Sequence, residues 1–465
     1  MSLPSHRHHS PCPRRPRMPM LALSMAIGLS FAATAQAQSL KELYEAARGY
    51  DASYLSARAT LDSAQYRLEQ TYALRRPSVG LAVSGSRSTS STPDGPTQSA
   101  NNTTYGATVS GTQSVFNRAN DKTIAQSQKS LEVSRADFET AEQDLIVRVS
   151  QAYFDVLAAQ DTLETARANL KAINEQVASA KRNFEVGTAT ITDTRDAQAR
   201  YDLARATEIA ADNDLITKRI ALDQLVGRIN VSPKQLAVPV KVPEVAPANI
   251  DDWVARADGE HPTVRKARLG LDVARLETEK AKAGHLPTVA VSANVGRGHS
   301  STSGDVVPTG FGGSVPYSIS TPTTNAGVAI TLNVPLFAGY AIQNRVKETL
   351  VLEDKSQNDL EAARRGVAQA TRSLFYGVRS GSAQVAALEA AESSSQLALE
   401  ATQLGFKVGV RVFIDVLNAQ AQLYSTRTQL AKARYDLVMA GLRLRQASGR
   451  LNADDVGAVN QLLQP

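Results

Sequence analysis

Cysteine, tryptophan and the other aromatic residues are scarce in this chain of 465 residues. It contains 1 Cys and 1 Trp, and aromatic residues make up 5% of the sequence. A single cysteine cannot form an intramolecular disulfide, which excludes a disulfide-stabilised scaffold. The abundance of Ala, Gln, Ser and Leu favours extended helices packed through small side chains over a compact enzyme with an aromatic core.

Residues 1–37 have the features of an export signal. Several arginines precede an apolar run from Met20 to Ala33, and Ala35-Gln36-Ala37 has the small-x-small form of a signal-peptidase site. The alternative, a retained membrane anchor, is less favoured because this run is shorter than the ~20 residues that span a bilayer. We therefore predict export and a mature start at Gln38. Cleavage removes Cys12 and leaves no cysteine for lipidation.

An excess of basic residues is largely confined to this signal. The full chain has 51 basic and 45 acidic residues. Residues 1–37 contribute four arginines and no acid, so the mature chain has 51 − 4 = 47 basic residues and a net charge of 47 − 45 = +2. This balance gives no indication of nucleic-acid binding.

The sequence contains an internal duplication. The segment FEVGTATITDTRDAQ begins at Phe184 and returns 222 positions later as FKVGVRVFIDVLNAQ at Phe406. Six of these fifteen positions are identical, which composition alone does not explain. A proline-rich connector with little regular structure is expected between the copies. The predicted layout is a first repeat at 38–228, a connector at 229–260, a second repeat at 261–449 and a C-terminal tail at 450–465.

Most of each repeat has helical periodicity. From Phe138 onward, apolar or small residues recur at alternating steps of three and four, which is typical of a coiled-coil seam. Gly187 and Gly409 follow the longest of these patterns, where a left-handed helix cap is expected. Helices are predicted at about 39–75, 118–184 and 190–227, and again at 262–284, 339–406 and 412–448.

The period changes to two before each long helix. Alternating segments are predicted as strands at about 79–90, 103–114, 288–299 and 325–336. Their length suits tilted transmembrane strands with one lipid face and one wet face, although half-buried soluble hairpins are the alternative. The segments between them, 91–102 and 300–322, are predicted as exposed loops. Four strands cannot close a barrel, so a membrane barrel would require several chains.

Together these features resemble the TolC family of outer-membrane channel proteins over essentially the whole mature chain. The resemblance rests on the duplicated halves, the strand hairpins that start with proline, the long helices and the paired glycine turns. It also rests on Ala152–Leu157, Ala433–Leu437 and Ser448–Asn452. The C-terminal segment is most similar to TolC proper, the branch that serves type I protein secretion and drug efflux.

The resemblance implies a mixed α and β membrane fold. Three identical chains would form one twelve-stranded β-barrel in the outer membrane of a Gram-negative bacterium, continuing into a periplasmic α-helical coiled-coil tunnel. Such a duct carries substrates for type I secretion, multidrug efflux or both. The implied partners are a periplasmic adaptor of the membrane fusion type and an inner-membrane ABC transporter or proton-driven pump. No cofactor is implied, and the sequence lacks a G-x-x-x-x-G-K phosphate loop.

The resemblance also implies a gate at the periplasmic helix tips. Family members carry Arg and two Asp at positions matching Arg411, Asp415 and Asn418, with a further Asp and a Tyr matching Asp193 and Phe406. In a trimer each position becomes a ring, and a ring of Asp415 would attract cations. Arg411 is expected to hold neighbouring helices together through Asp193.

Two of these positions depart from the family pattern. Asn418 is neutral, and Phe406 lacks the hydroxyl that could bond to Asp193. We therefore expect a constriction that is less cation-selective and held by fewer hydrogen bonds. Solvated surface charges on a coiled coil are the alternative interpretation of these residues. The adaptor is expected to contact the two turns, Val186, Gly187, Thr188, Val408, Gly409 and Val410.

Two other functional classes fit the sequence less well. A periplasmic coiled-coil adaptor or an adhesin-like structural protein shares the helical hairpins but lacks paired amphipathic strand hairpins. An exported hydrolase is disfavoured because His261, His285 and His299 are scattered and lack H-E-x-x-H spacing. A passive duct rather than an enzyme is predicted, and the sequence does not specify its cargo.

Overall fold

The computed structural model describes residues 37–92, 97–237, 247–306, 310 and 313–463. Apart from Ala37, the predicted signal segment lies outside the described residues. The helices are α1 Leu40–Tyr50, α2 Ala52–Tyr72, α3 Arg118–Glu185, α4 Ile191–Val226, α5 Ile250–Glu260, α6 Pro262–Ala283, α7 Ala341–Lys407, α8 Phe413–Ala447 and α9 Ala453–Asn460. The strands are β1 Ser78–Ser91, β2 Thr97–Phe116, β3 Thr288–Val306 and β4 Val315–Asn333.

Two very long helices dominate the fold. Helix α3 has 68 residues and α7 has 67, so each is about 100 Å long at 1.5 Å per residue. Asn117 caps the start of α3, because its side-chain oxygen accepts from the backbone N–H groups of Ala119 and Asn120. The predicted seam is buried along much of α3, as at Val149 and Val156. Helix α4 packs against α3, and α8 packs against α7.

The largest hydrophobic core lies around the middle of α3. Tyr153 and Phe154 are almost fully buried there against residues of α1, α4, α8 and α9. Tyr153 donates from its hydroxyl to the Lys234 carbonyl at 2.8 Å. This bond and the isolated bridge between Gln38 and Pro233 tie the chain segments beside α1 and after α4 to the helical body.

The strands form one antiparallel sheet in the order β1-β2-β3-β4. The central β2–β3 pair joins the two repeats, with Tyr105 of β2 opposite His299 of β3. Within the described residues, β1 pairs only with β2 and β4 only with β3. Both outer edges of the sheet therefore carry unpaired backbone groups.

In the half of the sheet nearest the helices, the register places most apolar residues of the four strands on one face. Because side chains alternate along a strand, residues opposite one another share a face. Many of these side chains are exposed in the single chain, with 75% of Val83 and 75% of Ile330 accessible. The opposite face carries mainly Ser, Thr, Asn, Gly and Ala, with Val315, Tyr317 and Ile319 at the outer end of β4. The apolar residues are Val79, Leu81, Val83, Ala107, Val109, Val291, Ala293, Val295, Ala326, Val328, Ile330 and Leu332.

The strands extend beyond the predicted segments into the predicted loops. Strand β3 continues to Val306 and β4 begins at Val315, so most of the expected loop at 300–322 is strand. Likewise, β1 and β2 together occupy most of 91–102. The added parts of β1, β2 and β3 are rich in Ser, Thr and Asn and lack apolar alternation, whereas the added part of β4 does alternate, at Val315, Tyr317 and Ile319. Pro322 is tolerated in β4 because this strand lies at the sheet edge.

Helical segments also differ from the expected bounds. The single helix expected at 39–75 is interrupted at Asp51, whose side chain accepts from the Tyr54 N–H and starts α2 as an N-cap. A short 3₁₀ turn, Ala73–Arg75, follows α2. The connector is not irregular throughout, because Asn249 caps helix α5. Asn452 similarly caps α9 within the C-terminal tail.

Long helices combined with one antiparallel sheet confirm the predicted mixed α and β fold. No helix in the described parts of the chain has the length and apolar character needed to cross a membrane.

Candidate functional site

The turn between α3 and α4 lies at the end of the helices farthest from the sheet. Gly187 has a φ of +78°, a left-handed conformation that glycine adopts without steric cost. The Thr188 N–H donates to the Asn183 carbonyl at 2.8 Å, and the Gly187 N–H donates to Phe184 at 3.0 Å. This pair of bonds is a Schellman motif, which ends the helix and reverses the chain.

The turn between α7 and α8 has the same geometry. Gly409 has a φ of +79°, and the Val410 N–H donates to the Gly405 carbonyl at 2.9 Å. Duplication therefore preserved the backbone of the turn while the side chains changed. Both tips expose apolar side chains, including Val186, Val408 and Val410. Exposed apolar groups at a tip favour contact with another protein.

The acidic residues after the two turns have different partners. Asp193 belongs to a capping box, in which its carboxylate accepts from the Thr190 N–H at 2.9 Å and from the Thr190 hydroxyl at 2.8 Å. Asp415, in the first turn of α8, lies 3.7 Å from the guanidinium of Arg411, which belongs to the turn just before that helix. No hydrogen bond or ion pair joins Arg411 to Asp193 within the described residues of one chain. The expected Arg411–Asp193 contact therefore remains a prediction for neighbouring chains.

Phe406 contributes to apolar packing at the tip. Its ring centroid lies 5.6 Å from that of Phe413, at an interplanar angle of 54°. Phe413 is buried in a cluster with Ile173 and Val177 of α3. Phe406 therefore helps to anchor the second helical hairpin against the first through dispersion and burial rather than through a polar bond.

Asn418 is bonded to a residue that the sequence did not single out. The guanidinium of Arg200 on α4 donates to the side-chain oxygen of Asn418 on α8 at 2.9 Å. Two residues further along α8, Gln420 donates to Asn169 of α3 at 3.3 Å. These polar contacts connect the two repeats near the tips. The sequence contains only a weak indication that Arg200 belongs to the site. It lies seven residues, or about two helical turns, after Asp193, which places the two residues on the same face of the helix.

The site therefore contains two cations, Arg200 and Arg411, beside the acids Asp193 and Asp415. These charged and polar side chains can hold helices together through ion pairs and charge-assisted hydrogen bonds. The described residues contain no cluster of His, Cys, Asp and Glu suited to a metal ion.

A duplicated unit of strand hairpin and long helical hairpin, with an apolar sheet face and charged helix tips, defines a channel-forming protein of the outer membrane. The family model for outer membrane efflux proteins matches residues 43–228 and 253–450. The chain belongs to this family, and it is an outer membrane protein.

Known relatives and structures agree with this placement. Outer membrane protein TolC of Escherichia coli (strain K12) is 30% identical over 445 residues, which cover 95% of this chain and 89% of that protein. Alkaline protease secretion protein AprF of Pseudomonas aeruginosa is 34% identical over 328 residues, covering 69% of this chain and 65% of that protein. The outer membrane protein VceC of Vibrio cholerae has the same fold, with a TM-score of 0.70, 18% identity and coverage of 88% and 96%.

These matches confirm the family resemblance that the sequence motifs indicated. They do not favour a periplasmic adaptor or an adhesin, because both repeats match a family of outer membrane channels. That family consists of transport ducts rather than enzymes.

Proposed function

We propose that three copies of this chain form an outer membrane exit duct that is gated at the periplasmic helix tips. The duct carries substrates received from an inner-membrane transporter and a periplasmic adaptor across the periplasm and the outer membrane. No chemical reaction is assigned to it. The observation that carries the proposal is a sheet with one apolar face and two open edges, continuous with helices about 100 Å long.

The open edges support assembly from several chains. In hydrocarbon, unpaired N–H and C=O groups are costly because no water satisfies them. Pairing β1 of one chain with β4 of the next removes the exposed edges, and three chains of four strands supply twelve. The apolar face then lies against lipid, and the Ser, Thr and Asn face lines the lumen.

The tip residues support a gate. Three copies of Arg411, Asp415 and Asn418 would lie around one axis, where side chains from neighbouring chains come close together. The Arg200–Asn418 bond holds the two hairpins of one chain together, and Arg411 is available to pair with Asp193 of the next chain. Separation of these contacts would open the periplasmic end.

The exposed valines of both turns support adaptor docking. Val186, Val408 and Val410 present apolar surface beside the polar groups of Thr188. AprF is named for the secretion of an alkaline protease, and another relative, BepC of Brucella suis, is named as an efflux protein. An ABC transporter for secretion and a proton-driven pump for efflux are accordingly the two partner types that we propose.

The proposal is tested by assembly and conductance. The mature chain is purified in detergent, its mass is measured by light scattering, and its current is recorded in planar bilayers. We expect a trimer that dissociates on heating and a channel of low conductance in the absence of an adaptor. A monomer that stays in solution without detergent would contradict the proposal.

A further inference from the structure

The charged side chains of the sheet are placed unusually. Within β1 to β4, the charged or imidazole-bearing residues are Arg87, Arg297, His299 and Asp305. The register places all four on the apolar face, beyond the apolar residues and toward the loop end of the sheet. The opposite face of the strands carries none. A wall that only lined water would show the reverse distribution, because charge is solvated most easily on the wet face.

Arg297 is the first outward-facing residue after the apolar run of β3. That run ends at Val295, and Arg297 lies nine residues after Thr288, the first residue of the strand. At about 3.3 Å per residue and a tilt of about 40°, this places Arg297 roughly 23 Å above the start of the strand. The apolar band of such barrels is about 25 Å tall. Arg297 therefore lies at the outer boundary of the hydrocarbon.

An aromatic residue marks the same boundary. Tyr105 is exposed on the outward face, and its ring stacks on that of His299 at a centroid distance of 5.1 Å. Amphipathic rings are enriched where headgroups meet hydrocarbon. The imidazole of His299 also makes a hydrogen bond through Nε2 with the Ser320 hydroxyl of β4, at 2.8 Å. The stack is thus held in place from two neighbouring strands.

The two arginines flank Tyr105 and are unpaired. On one side of β2, Arg297 lies opposite Ala107, and on the other side Arg87 lies opposite Thr103. Both side chains are exposed, and within the described residues neither guanidinium has a hydrogen-bond or ion-pair partner. Asp305 lies farther out and accepts from the Ser99 hydroxyl at 3.1 Å. An unpaired arginine on a lipid face is tolerated only where an anion or water meets it.

We infer that Arg87 and Arg297, with Tyr105 between them, form a binding site for the phosphate groups of an outer-leaflet lipid. The two positions are two strands and about four residues apart, so their Cα atoms are separated by roughly 16 Å. That spacing suits a headgroup carrying more than one phosphate, with one guanidinium bonding to each. The acyl chains then lie along the apolar residues below. This inference rests on the proposed function, because it requires the sheet to be embedded in the outer membrane.

Native mass spectrometry of the full mature protein in detergent tests this site. The probes are diphosphorylated lipid A, its monophosphorylated form and the form without phosphate. We expect retention to fall in that order, and we expect Arg297→Gln and Arg87→Gln each to lower retention of the diphosphorylated lipid roughly tenfold, as loss of a charge-assisted bond predicts. Arg205→Gln, which removes an exposed arginine of α4 that has no partner among the described residues, should bind like the parent.

Trimer mass and conductance are measured on the same preparations. Equal retention of the three lipids, or unchanged retention in Arg297→Gln, would overturn the lipid site in a protein that still conducts. Displacement of the lipid by inorganic phosphate at equal concentration would also overturn it, because a free anion would then be the ligand. Failure to form a trimer would overturn the proposed function and this inference together.

Discussion

The guanidinium of Arg200 donates to the side-chain oxygen of Asn418 across 2.9 Å, joining a helix of the first repeat to a helix of the second. The resemblance to the TolC family implies an acidic residue at the position of Asn418, whereas in this chain a neutral amide accepts the bond from Arg200. In the proposed gate this link is therefore a hydrogen bond rather than an ion pair, and Asn418 adds no negative ring to the constriction.

Removing this link should make the channel leak. We expect Arg200→Gln to raise the current of the closed channel, because an exposed bond to a charged group contributes about 1 kcal/mol, or roughly a fivefold change in the closed population. Single-channel recording in planar bilayers measures this. Arg205→Gln, on the same helix and unpaired within the described residues, is the matched control. Equal currents in the two variants would show that the link does not hold the gate.

Restoring an acid at position 418 should change ion preference. Asn418→Asp would add a negative ring and turn the bond with Arg200 into an ion pair, which is worth about 0.2–1 kcal/mol at an exposed site. The reversal potential in a KCl gradient should shift toward that of a cation-selective pore. Asn418→Ala, which removes the acceptor without adding charge, serves as the control. An unchanged reversal potential in Asn418→Asp would place the side chain outside the pore.

Loss of Arg411 should also raise conductance. Arg411→Ser would free Asp415, 3.7 Å from the guanidinium, and remove the cation proposed to bind Asp193 of the next chain. The expected result is a larger closed-state current and a greater cation preference, measured in the same bilayers. Lys407→Ser removes an exposed cation from the end of α7 and should leave both properties unchanged. If Arg411→Ser behaves like Lys407→Ser, Arg411 is a solvated surface charge.

Acid should destabilise the helical body through Asp51. Hydrogen bonds from Arg148 at 2.9 and 3.0 Å hold the pKa of the Asp51 carboxyl well below its usual range. The folded-state pKa is thus lower than the unfolded value of about 3.9. The carboxylate therefore adds stability above that pH, and this stability is lost as the pH falls below it toward the folded-state pKa.

The Asp51→Asn variant tests this effect. Thermal unfolding in detergent should show a loss of about 2 kcal/mol near neutral pH, since the part-buried ion pair with Arg148 is lost while asparagine keeps the N-cap. Its stability should also depend less on pH below about 4 than that of the parent. Asp62→Asn, an exposed carboxylate of α2, is the control. A parallel decline of parent and Asp51→Asn in acid would contradict the assignment.

Sequence patterns predicted the features that depend on local chemistry. The helix ends at Gly187 and Gly409 were predictable because a left-handed cap strongly favours glycine. The break at Asp51 was not, because helical periodicity continues past it and the competing N-cap is a single side chain. The outer end of β3 lacks apolar alternation because small and polar residues occupy both faces, whereas the outer end of β4 alternates at Val315, Tyr317 and Ile319, a short signal inside a segment predicted as a loop.

Long-range contacts at the site were less predictable. Arg200 and Asn418 are 218 positions apart, and nothing in either local pattern specifies how α4 meets α8. The residues Asp193, Arg411 and Asp415 were found through the family motif, but their partners in one chain depend on helix capping and side-chain reach. The packing role of Phe406 likewise depends on its contact with Phe413, which the sequence pattern does not specify.

The two unpaired strand edges also govern how the protein matures. A newly exported chain carries β1 and β4 with their backbone groups free, so it is prone to join any other exposed strand it meets. In the proposed trimer, pairing with sister chains would prevent such mispairing. Maturation of that trimer should therefore slow steeply when expression is low, because each chain must meet two others before every strand edge is paired.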